Sequence, residues 1–460
     1  MFKLKYLRKK KCHSPCKTSA AGIFTRPEPI STPNNEGRVN LLSPEYDLTM
    51  SEGLRKRQAN NKPRVVEQDV TEEKKYRQSI GWRKAGLIST GLTLIIFPMV
   101  LSIIPSPIDP VAYTLPPPPE WVGALAPNTN LQRATRLFQG EVTGPESIVV
   151  DGDYMYTGTA DGRIMVIHKG HVRELTRLGR LPCEGFKDEP TCGRPLGMRM
   201  DRDGYLIVLD TYLGIFKVNV ATGDKKWLSS VETDGHTSKF LNDLDIGPDG
   251  TYYISDSSTK WDRRHNRYLV MEGDATGRLL SYHPETNTTT VLATGIPFAN
   301  GVQLTRDKQA ILLTSTTLAA VYKYYIAGPK SGTLETFNNN LPGLPDNIRR
   351  SSKGGYWVGL ASVRRPGRSI VDALASRPWL RQLIAKIFSQ DAIIKLLSTF
   401  NPYGMVIHLN ELGEITQSLH DPTGAKISAV SEVEDRDGVL YLGSYYSPFL
   451  SKLYLTDIKN

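Results

Sequence analysis

The stretch FLNDLDIGPDG (residues 240–250) joins a short apolar run to an Asp-Gly turn, and related stretches recur along the chain. Asp-Gly connections between apolar runs favour β-hairpins, because such turns need a positive φ that glycine adopts easily. The six related units are SIVVDGDYMYTG, GMRMDRDGYLIVLD, DLDIGPDGTYYISD, GVQLTRDKQAILLT, NIRRSSKGGYWVGL and SEVEDRDGVLYLGS, with turns at positions 152, 204, 250, 308, 354 and 438. The sequence is therefore organised as a series of hairpins.

The spacing of these turns indicates the architecture. Successive turns lie 52, 46, 58, 46 and 84 residues apart, and one four-stranded propeller blade takes about 40–50 residues. The sequence therefore predicts an all-β fold, a six-bladed β-propeller over residues 121–460, whereas a two-sheet sandwich would need no such period. We expect the stretch ATRLFQG (134–140) to add an outer strand to the last blade and close the ring.

The long interval contains a segment of different character, about residues 364–404. Within it, Trp379, Leu383 and Ile387 recur at helical rather than strand spacing, and several arginines accompany them. This pattern predicts a helical insertion in the propeller. It could form a lid over the channel, a basic amphipathic element on a membrane, or a helix pair packed on the propeller edge.

Oxygen-bearing side chains occupy one position of the repeat. Asn242, Asn300 and Asp346 each stand eight residues before a turn position, and Glu146 stands six before one. Equivalent positions of a closed repeat array converge on its axis, where two carboxylates and two amides would be unfavourable without a balancing cation. Because Ca²⁺ prefers about six to eight oxygen ligands, the pattern predicts a calcium site in the hub.

Residues 85–104 are twenty consecutive uncharged residues, AGLISTGLTLIIFPMVLSII. At about 1.5 Å per residue they span roughly 30 Å, the hydrocarbon thickness of a bilayer. A signal peptide would lie nearer Met1, and a buried globular helix would not need the flanking charges of Arg83 and Lys84. We therefore expect a single transmembrane helix, a signal-anchor, followed by a Pro-rich linker at 105–120.

The net charge of +10 is concentrated before this segment. Residues 1–84 carry 19 Lys and Arg against 9 Asp and Glu, and the rest of the chain carries 38 of each. This uneven distribution of charge indicates the orientation of the chain in a membrane rather than a basic surface that binds nucleic acid, so we expect no nucleic-acid partner. It predicts a single-pass type II protein of the plasma membrane or endoplasmic reticulum, with a disordered basic tail (1–84) in the cytosol.

Two further features fit an oxidising compartment for the C-terminal part. Cys183 and Cys192 bound a short polar loop, and we expect a disulfide between them, the alternative being two free buried thiols. Asn287 begins an Asn-Thr-Thr sequon and is a candidate glycosylation site.

The motifs GPESI, CGRPLGMR, NDLDIGPDG, SDSSTKW, NGVQL, PDNIRRSSKGGYWVG and SLHDPTG follow one another in this chain. Together they resemble the strictosidine synthase-like family of calcium-dependent six-bladed propellers, which is related to the paraoxonases and gluconolactonases. The resemblance covers about residues 106–457. It implies a central calcium held by Glu146, Asn242, Asn300 and Asp346, with the adjoining Asn347 as a further ligand, and it implies hydrolysis of small esters or lactones.

Two positions depart from the pattern of these relatives. Ser431 stands where strictosidine synthase has its catalytic Glu, so alkaloid condensation is not expected, and Leu196 stands where the paraoxonases have a catalytic His. We therefore expect Asp346 to be catalytic, as the base or nucleophile or by orienting a water molecule. His236, shortly before Asn242, is a candidate proton shuttle, with a solvent-exposed loop histidine as the alternative.

A second interpretation of the sequence is a non-catalytic propeller with a structural calcium, serving as a membrane-bound binding or adhesion module. The loop SSTKWDRRHNRY (257–268) would offer an aromatic residue and clustered arginines to a partner. A solvated hairpin is the simpler account of this loop. The sequence identifies no protein partner.

Overall fold

The computed structural model describes residues 67–233, 235–393, 395 and 402–458. Residues 121–458 contain six four-stranded antiparallel sheets. The first strands of the six sheets contact one another in a closed cycle. This arrangement confirms the predicted six-bladed β-propeller.

The first three blades each take four consecutive strands. Blade 1 has β2 (Ile148–Asp151), β3 (Tyr154–Gly158), β4 (Arg163–His168) and β5 (His171–Arg177). Blade 2 has β6 (Pro195–Met200), β7 (Tyr205–Asp210), β8 (Gly214–Asn219) and β9 (Lys225–Ser229). A small hairpin, β10 (Glu232–Thr233) and β11 (His236–Thr237), precedes blade 3, which has β12 (Leu241–Ile246), β13 (Tyr252–Asp256), β14 (Gly277–His283) and β15 (Thr288–Ile296).

The remaining blades continue around the ring. Blade 4 has β16 (Ala299–Leu304), β17 (Ala310–Ser315), β18 (Ala320–Tyr325) and β19 (Leu334–Asn338). Blade 5 has β20 (Gly343–Arg350), β21 (Tyr356–Val363), β22 (Gly404–Leu409) and β23 (Ile415–Asp421). Blade 6 has β24 (Glu432–Arg436), β25 (Val439–Gly443) and β26 (Leu450–Tyr454), and its outer strand is β1 (Thr135–Leu137).

The ring is closed by the two ends of the propeller sequence. Strand β1 pairs antiparallel with β26, with Thr135 opposite Lys452 and Leu137 opposite Leu450. The prediction that residues 134–140 supply the last outer strand is confirmed. Closure removes two exposed sheet edges, which would otherwise be sites of edge-to-edge aggregation.

All six turn positions adopt a positive φ, as the hairpin pattern requires. Five are glycines, including Gly152 at 55° and Gly354 at 95°. The sixth is Lys308 at 59°, which shows that the turn geometry is kept even where glycine is absent.

Most of the core consists of six apolar layers, each lying between two successive blades. Between blades 2 and 3, for example, Ile207 and Leu209 pack against Leu244 and Ile254, all fully buried. The same arrangement closes the ring between blades 6 and 1, where Leu450 packs on Ile148. Burial of each such side chain contributes about 1.5–3 kcal/mol, so the stability of the propeller is spread around the ring.

The helix α1 (Glu67–Ile103) is long and apolar enough to cross a membrane over Thr71–Ile103. It begins before the predicted start at residue 85, so residues 67–84 are helical rather than disordered. The remainder of the predicted tail lies outside the described residues. An i,i+4 ion pair between Glu73 and Arg77, at 3.5 Å, accompanies the early start.

The predicted insertion is helical, with α4 (Ile370–Ala375) and α5 (Pro378–Ile387) between β21 and β22. Two further short helices among the described residues are α2 (Glu189–Cys192) and α3 (Asn266–Glu272). The Pro-rich linker that follows α1 packs against this region. Val111 N donates to Glu272 O at 2.9 Å, and Tyr113 N donates to Ala375 O at 3.3 Å.

Candidate metal centre in the hub

The inner strands carry the predicted ligands to the axis of the propeller. Asn242 lies on β12, Asn300 on β16, and Asp346 with Asn347 on β20, while Glu146 immediately precedes β2. All five side chains are between 1% and 5% exposed. These residues are therefore buried, although their polarity alone would favour the surface.

The inner strands bend at the predicted ligands. Pairing of β12 with β13 shifts register between Leu241 and Leu244, and β16 shifts in the same way around Asn300. On β20 the shift lies between Pro345 and Ile348. A β-bulge redirects a side chain relative to the regular alternation of a strand, so the bulges explain why two adjacent residues, Asp346 and Asn347, both reach the hub.

A glycine allows neighbouring inner strands to approach at this level. A Cβ on Gly301 would lie 2.7 Å from Asn347 Cα and 2.7 Å from Asp346 O. Backbone atoms cannot yield to such a contact. The residue after Asn300 must therefore be glycine for blades 4 and 5 to meet in this geometry.

Hydroxyl groups fix the orientation of two of the amides. Asn242 Nδ2 donates to Ser257 Oγ at 3.0 Å, and Asn300 Nδ2 donates to Thr316 Oγ1 at 3.0 Å. Each hydroxyl uses its single proton on a backbone carbonyl of the next blade, Ala299 O at 2.7 Å and Pro345 O at 2.7 Å respectively. Because each hydroxyl is already a donor to a carbonyl, it accepts from the amide nitrogen. The Oδ1 atoms of Asn242 and Asn300 therefore point away from these hydroxyl groups.

Four side-chain oxygens of the hub are buried and have no hydrogen-bond partner. They are Asn242 Oδ1, Asn300 Oδ1, Asp346 Oδ1 and Asn347 Oδ1. Buried polar atoms are nearly always paired, because an unpaired one costs about 1–3 kcal/mol. Four unpaired oxygens on adjacent inner strands are the arrangement that a bound cation would satisfy.

The donor types favour a hard cation. The candidate ligands present carboxylate and amide oxygens, which suit Ca²⁺. Among the residues that the structure describes, no group of three or more His, Cys, Asp or Glu side chains could hold a metal ion. The hub set of two carboxylates and three amides fits calcium better than zinc or copper.

The two candidate-ligand carboxylates, Asp346 and Glu146, have raised pKa values, so burial favours their protonated forms. Burial raises the pKa of Asp346 well above its ordinary value, and the nearby Glu146 carboxylate raises it further. Burial also raises the pKa of Glu146, against the opposing effect of Arg194. A divalent ion would reverse this preference for the protonated forms by supplying positive charge at short range.

The sequence analysis missed two buried arginines that border the ligands. Arg194 donates from Nη1 to Gly144 O at 2.7 Å, and its Nη2 lies 3.5 Å from Glu146 Oε2. On the other side, Arg349 pairs with Asp243 and with Glu432, both at 2.7 Å. The sequence contained one signal for the Arg349 pair: Asp243 and Arg349 follow predicted ligands on the same inner strands.

Glu432 connects the arginine network to the ligand set. Its Oε2 accepts from Asn347 Nδ2 at 3.4 Å as well as from Arg349. Burial raises its pKa, and Arg349 acts in the opposite direction. The adjacent Ser431 donates to Glu146 O at 3.3 Å, so the position that departs from strictosidine synthase has a structural contact in the hub.

The other predicted site residues lie apart from this cluster. Cys183 and Cys192 form the predicted disulfide, with Cα atoms 5.6 Å apart. Asn287 is exposed on the turn before β15, so its glycosylation stays a prediction. His236 lies on β11, and its side chain is outside the described residues. Leu196 is buried in an apolar cluster with Phe240 and other residues.

Sequence comparison places the chain among known proteins. It is 43% identical to adipocyte plasma membrane-associated protein of Salmo salar over 417 residues, covering 88% of this chain and 99% of that protein. The human protein of the same name is 45% identical over 359 residues, covering 77% of this chain and 86% of the relative. This chain belongs to the adipocyte plasma membrane-associated protein family.

The family lies within a broader strictosidine synthase-like group. Residues 242–329 match the family model described as strictosidine synthase, and residues 123–167 match that of the strictosidine synthase-like N-terminal region. An Arabidopsis thaliana protein named strictosidine synthase-like 3 is 35% identical over 335 residues, covering 70% of this chain and 85% of the relative.

The comparison with solved structures finds similarity to two bacterial proteins at low sequence identity. A gluconolactonase from Xanthomonas campestris is 16% identical with a TM-score of 0.48, covering 76% of this chain and 99% of that chain. Regucalcin from Agrobacterium tumefaciens, described as a calcium-binding protein, is 11% identical with a TM-score of 0.46, covering 69% and 92%.

Proposed function

We propose that this protein is a membrane-anchored, calcium-dependent hydrolase of the arylesterase or lactonase type that acts on small esters. The observation that carries the proposal is the set of four unpaired buried oxygens contributed by three neighbouring inner strands. A purely structural hub could be filled with apolar side chains at lower cost. The presence of unpaired polar oxygens in the hub instead supports a bound cation that takes part in hydrolysis.

In this proposal Glu146, Asn242, Asn300, Asp346 and Asn347 hold the ion. When bound, calcium would supply Lewis-acid polarisation of a substrate carbonyl. The Asp346 carboxylate is the group best suited to act as base or nucleophile, or to orient a water molecule, because one of its oxygens has no other partner.

The ends of the inner strands supply an apolar wall beside these ligands. Phe240 and Phe298 each stand two residues before a ligand asparagine, and their ring centroids are 5.5 Å apart. Leu196 belongs to the same cluster. An apolar wall next to a polar centre is typical of sites that bind small organic substrates, and it supports an ester or lactone over a charged metabolite.

We also infer a type II orientation, at the plasma membrane or the endoplasmic reticulum. The excess of basic residues before α1 supports a cytosolic N-terminus. The disulfide between Cys183 and Cys192 supports an oxidising environment for the propeller.

The proposal is tested by assaying the purified full-length protein on a panel of aryl esters and lactones, with calcium and with a chelator. We expect calcium-dependent turnover that falls at least about 100-fold in Asp346→Asn, as for loss of a general base. The matched control is Asp203→Asn, the same chemical change at a turn carboxylate that is 76% exposed; it should leave turnover unchanged.

Two outcomes would contradict the catalytic role. If Asp346→Asn binds calcium and keeps full turnover, Asp346 is not catalytic. If the native protein binds calcium but hydrolyses no member of the panel, the ion is structural and the second interpretation, a membrane-bound binding or adhesion module, is favoured.

A further inference from the structure

Helix α5 has one buried face and one exposed apolar face. Arg381 and Ala385 are buried, and the Arg381 guanidinium donates to backbone carbonyls of α3 and α4 at 2.6 and 3.0 Å. With 3.6 residues per turn, the opposite face carries Trp379, Leu383 and Ile387. Trp379 is 64% exposed and Ile387 is 45% exposed. Leu383, between them on this face, is half-buried.

The same helix lies beside the end of the membrane-spanning helix. Lys386 Nζ donates to Leu101 O at 2.9 Å, and Leu101 belongs to the last turn of the apolar span Thr71–Ile103. The linker that follows the span is also attached to this region, because Tyr113 N donates to Ala375 O at 3.3 Å. The exposed face of α5 is therefore held close to the point where α1 leaves the bilayer.

The composition of α5 suits the lipid headgroup region. Tryptophan favours the membrane–water interface, where its ring is partly apolar and its N–H remains polar. Arg377 and Lys386 can meet lipid phosphates, and no Asp or Glu occurs between Ala373 and Gln390. Two more exposed apolar residues, Ile370 at 55% and Phe388 at 45%, flank the helix.

We propose that α4 and α5 form a membrane-surface element that seats the propeller on the leaflet from which α1 emerges. Trp379 and Ile387 enter the headgroup region, while Arg381 fixes the helix to the propeller. The occupant of the exposed face is phospholipid. The continuity of this face with the span, through Lys386 and Leu101, argues for lipid over a second protein.

This arrangement brings the hub close to the bilayer. Gln390, just after α5, accepts from Arg267 N at 3.2 Å, and Arg267 Nη2 donates to Tyr445 OH at 3.0 Å. Tyr445 O in turn accepts from Arg194 Nη2 at 3.1 Å, and Arg194 lies beside Glu146. The surface element thus rests on the end of the propeller where Glu146 lies.

The test uses the full-length protein in nanodiscs of phosphatidylcholine, with and without brominated acyl chains. The chain has six tryptophans, so the contribution of one is obtained as the difference between native and variant emission. We expect the Trp379 contribution, from Trp379→Phe, to be lost in brominated lipid and insensitive to aqueous iodide. Trp227 is the control, since it is 54% exposed on β9 of blade 2.

For Trp227→Phe we expect the reverse pattern: a contribution quenched by iodide and unchanged by brominated lipid. Ile387→Trp in the Trp379→Phe background should restore the lipid-quenched contribution, which guards against a local effect of the first substitution. Quenching of Trp379 by iodide alone would overturn the proposal. Protection from both quenchers would also overturn it, in favour of a protein contact on this face.

Discussion

At the scale of single residues, the hub depends on groups that do not themselves face the axis. Ser257 and Thr316 receive the amide nitrogens of Asn242 and Asn300, and both hydroxyls are committed to carbonyls of the next blade. The orientation of each amide oxygen is therefore set by the neighbouring blade. Supporting contacts of this kind typically change metal affinity about 10–100-fold when removed.

Thr316→Val should weaken calcium binding about 10-fold or more, because Asn300 would lose the acceptor that holds its nitrogen away from the axis. The measurement is calorimetric titration of the full-length protein in detergent. Thr314→Val is the matched control, since the Thr314 hydroxyl also donates to a β20 carbonyl, Asp346 O at 2.8 Å, but accepts from no side-chain amide of the described residues. Equal affinities for the two variants would contradict this account of the amide orientation.

Four of the candidate ligand positions, Glu146, Asn242, Asn300 and Asp346, could be picked out by their offset from the turns, whereas Asn347 followed from the family resemblance. The ion-pair partners of the arginines beside them could not be identified in this way. Arg194 pairs with Glu146 across 48 positions of sequence, and Arg349 pairs with Asp243 across 106. Such pairs are brought together by the packing of the blades around the hub, and no local pattern in either segment identifies the partner.

At the scale of elements, a buried histidine joins the outer strand of blade 5 to the segment that enters the propeller. His420 on β23 contacts Tyr403 OH through Nδ1 and Ser418 Oγ through Nε2, each at 2.7 Å. The Trp121 ring packs edge-on at 5.6 Å, and Arg365 lies 4.5 Å from the centre of the Tyr403 ring. Among the described residues, both hydrogen-bond partners of the ring are neutral hydroxyls, so neither supplies a negative charge to a protonated imidazole.

Acidification should therefore destabilise the protein through His420. Burial lowers its pKa to about 4 from an ordinary value of 6.5. The unfolded chain binds this proton below pH 6.5 and the folded chain resists it, so stability is lost as pH falls from 6.5 towards 4. The expected loss from this group at pH 4 is about 3 kcal/mol.

Urea unfolding of the native protein and of His420→Gln, at pH 7 and pH 4.5 with calcium chelated, measures this effect. The variant should be less stable at pH 7, because glutamine cannot reproduce both hydrogen bonds, but its stability should fall less on acidification. Parallel pH profiles for the two proteins would show that His420 does not resist protonation in the folded state.

Element boundaries were predictable where the turn chemistry marks them. The early start of α1 was missed because residues 67–84 are polar and charged, and the prediction placed the boundary where the apolar run begins. In the structure the helix continues through them to Glu67. A helix already nucleated by its apolar part extends at low cost into residues with good helix propensity.

For the molecule as a whole, closure of the propeller ring is what creates the polar hub. Ring closure by β1 and β26 fixes the six inner strands, and their convergence gathers polar side chains that no single blade could hold buried. The fold was predictable because the hairpin repeat is regular. The packing of the linker and of α5 was not, because it depends on contacts between distant segments.

If oxygen atoms from separate blades surround a divalent ion in the hub, as we propose, calcium must bind there and stabilise the fold. Calorimetric calcium titration of the metal-stripped full-length protein, with thermal unfolding recorded in parallel, tests this claim most directly. We predict one calcium ion bound per chain and a higher unfolding temperature in calcium than in chelator, with binding lost in Asn300→Leu. A folded native protein that binds no calcium, or that binds it equally well with Asn300→Leu, would contradict the claim.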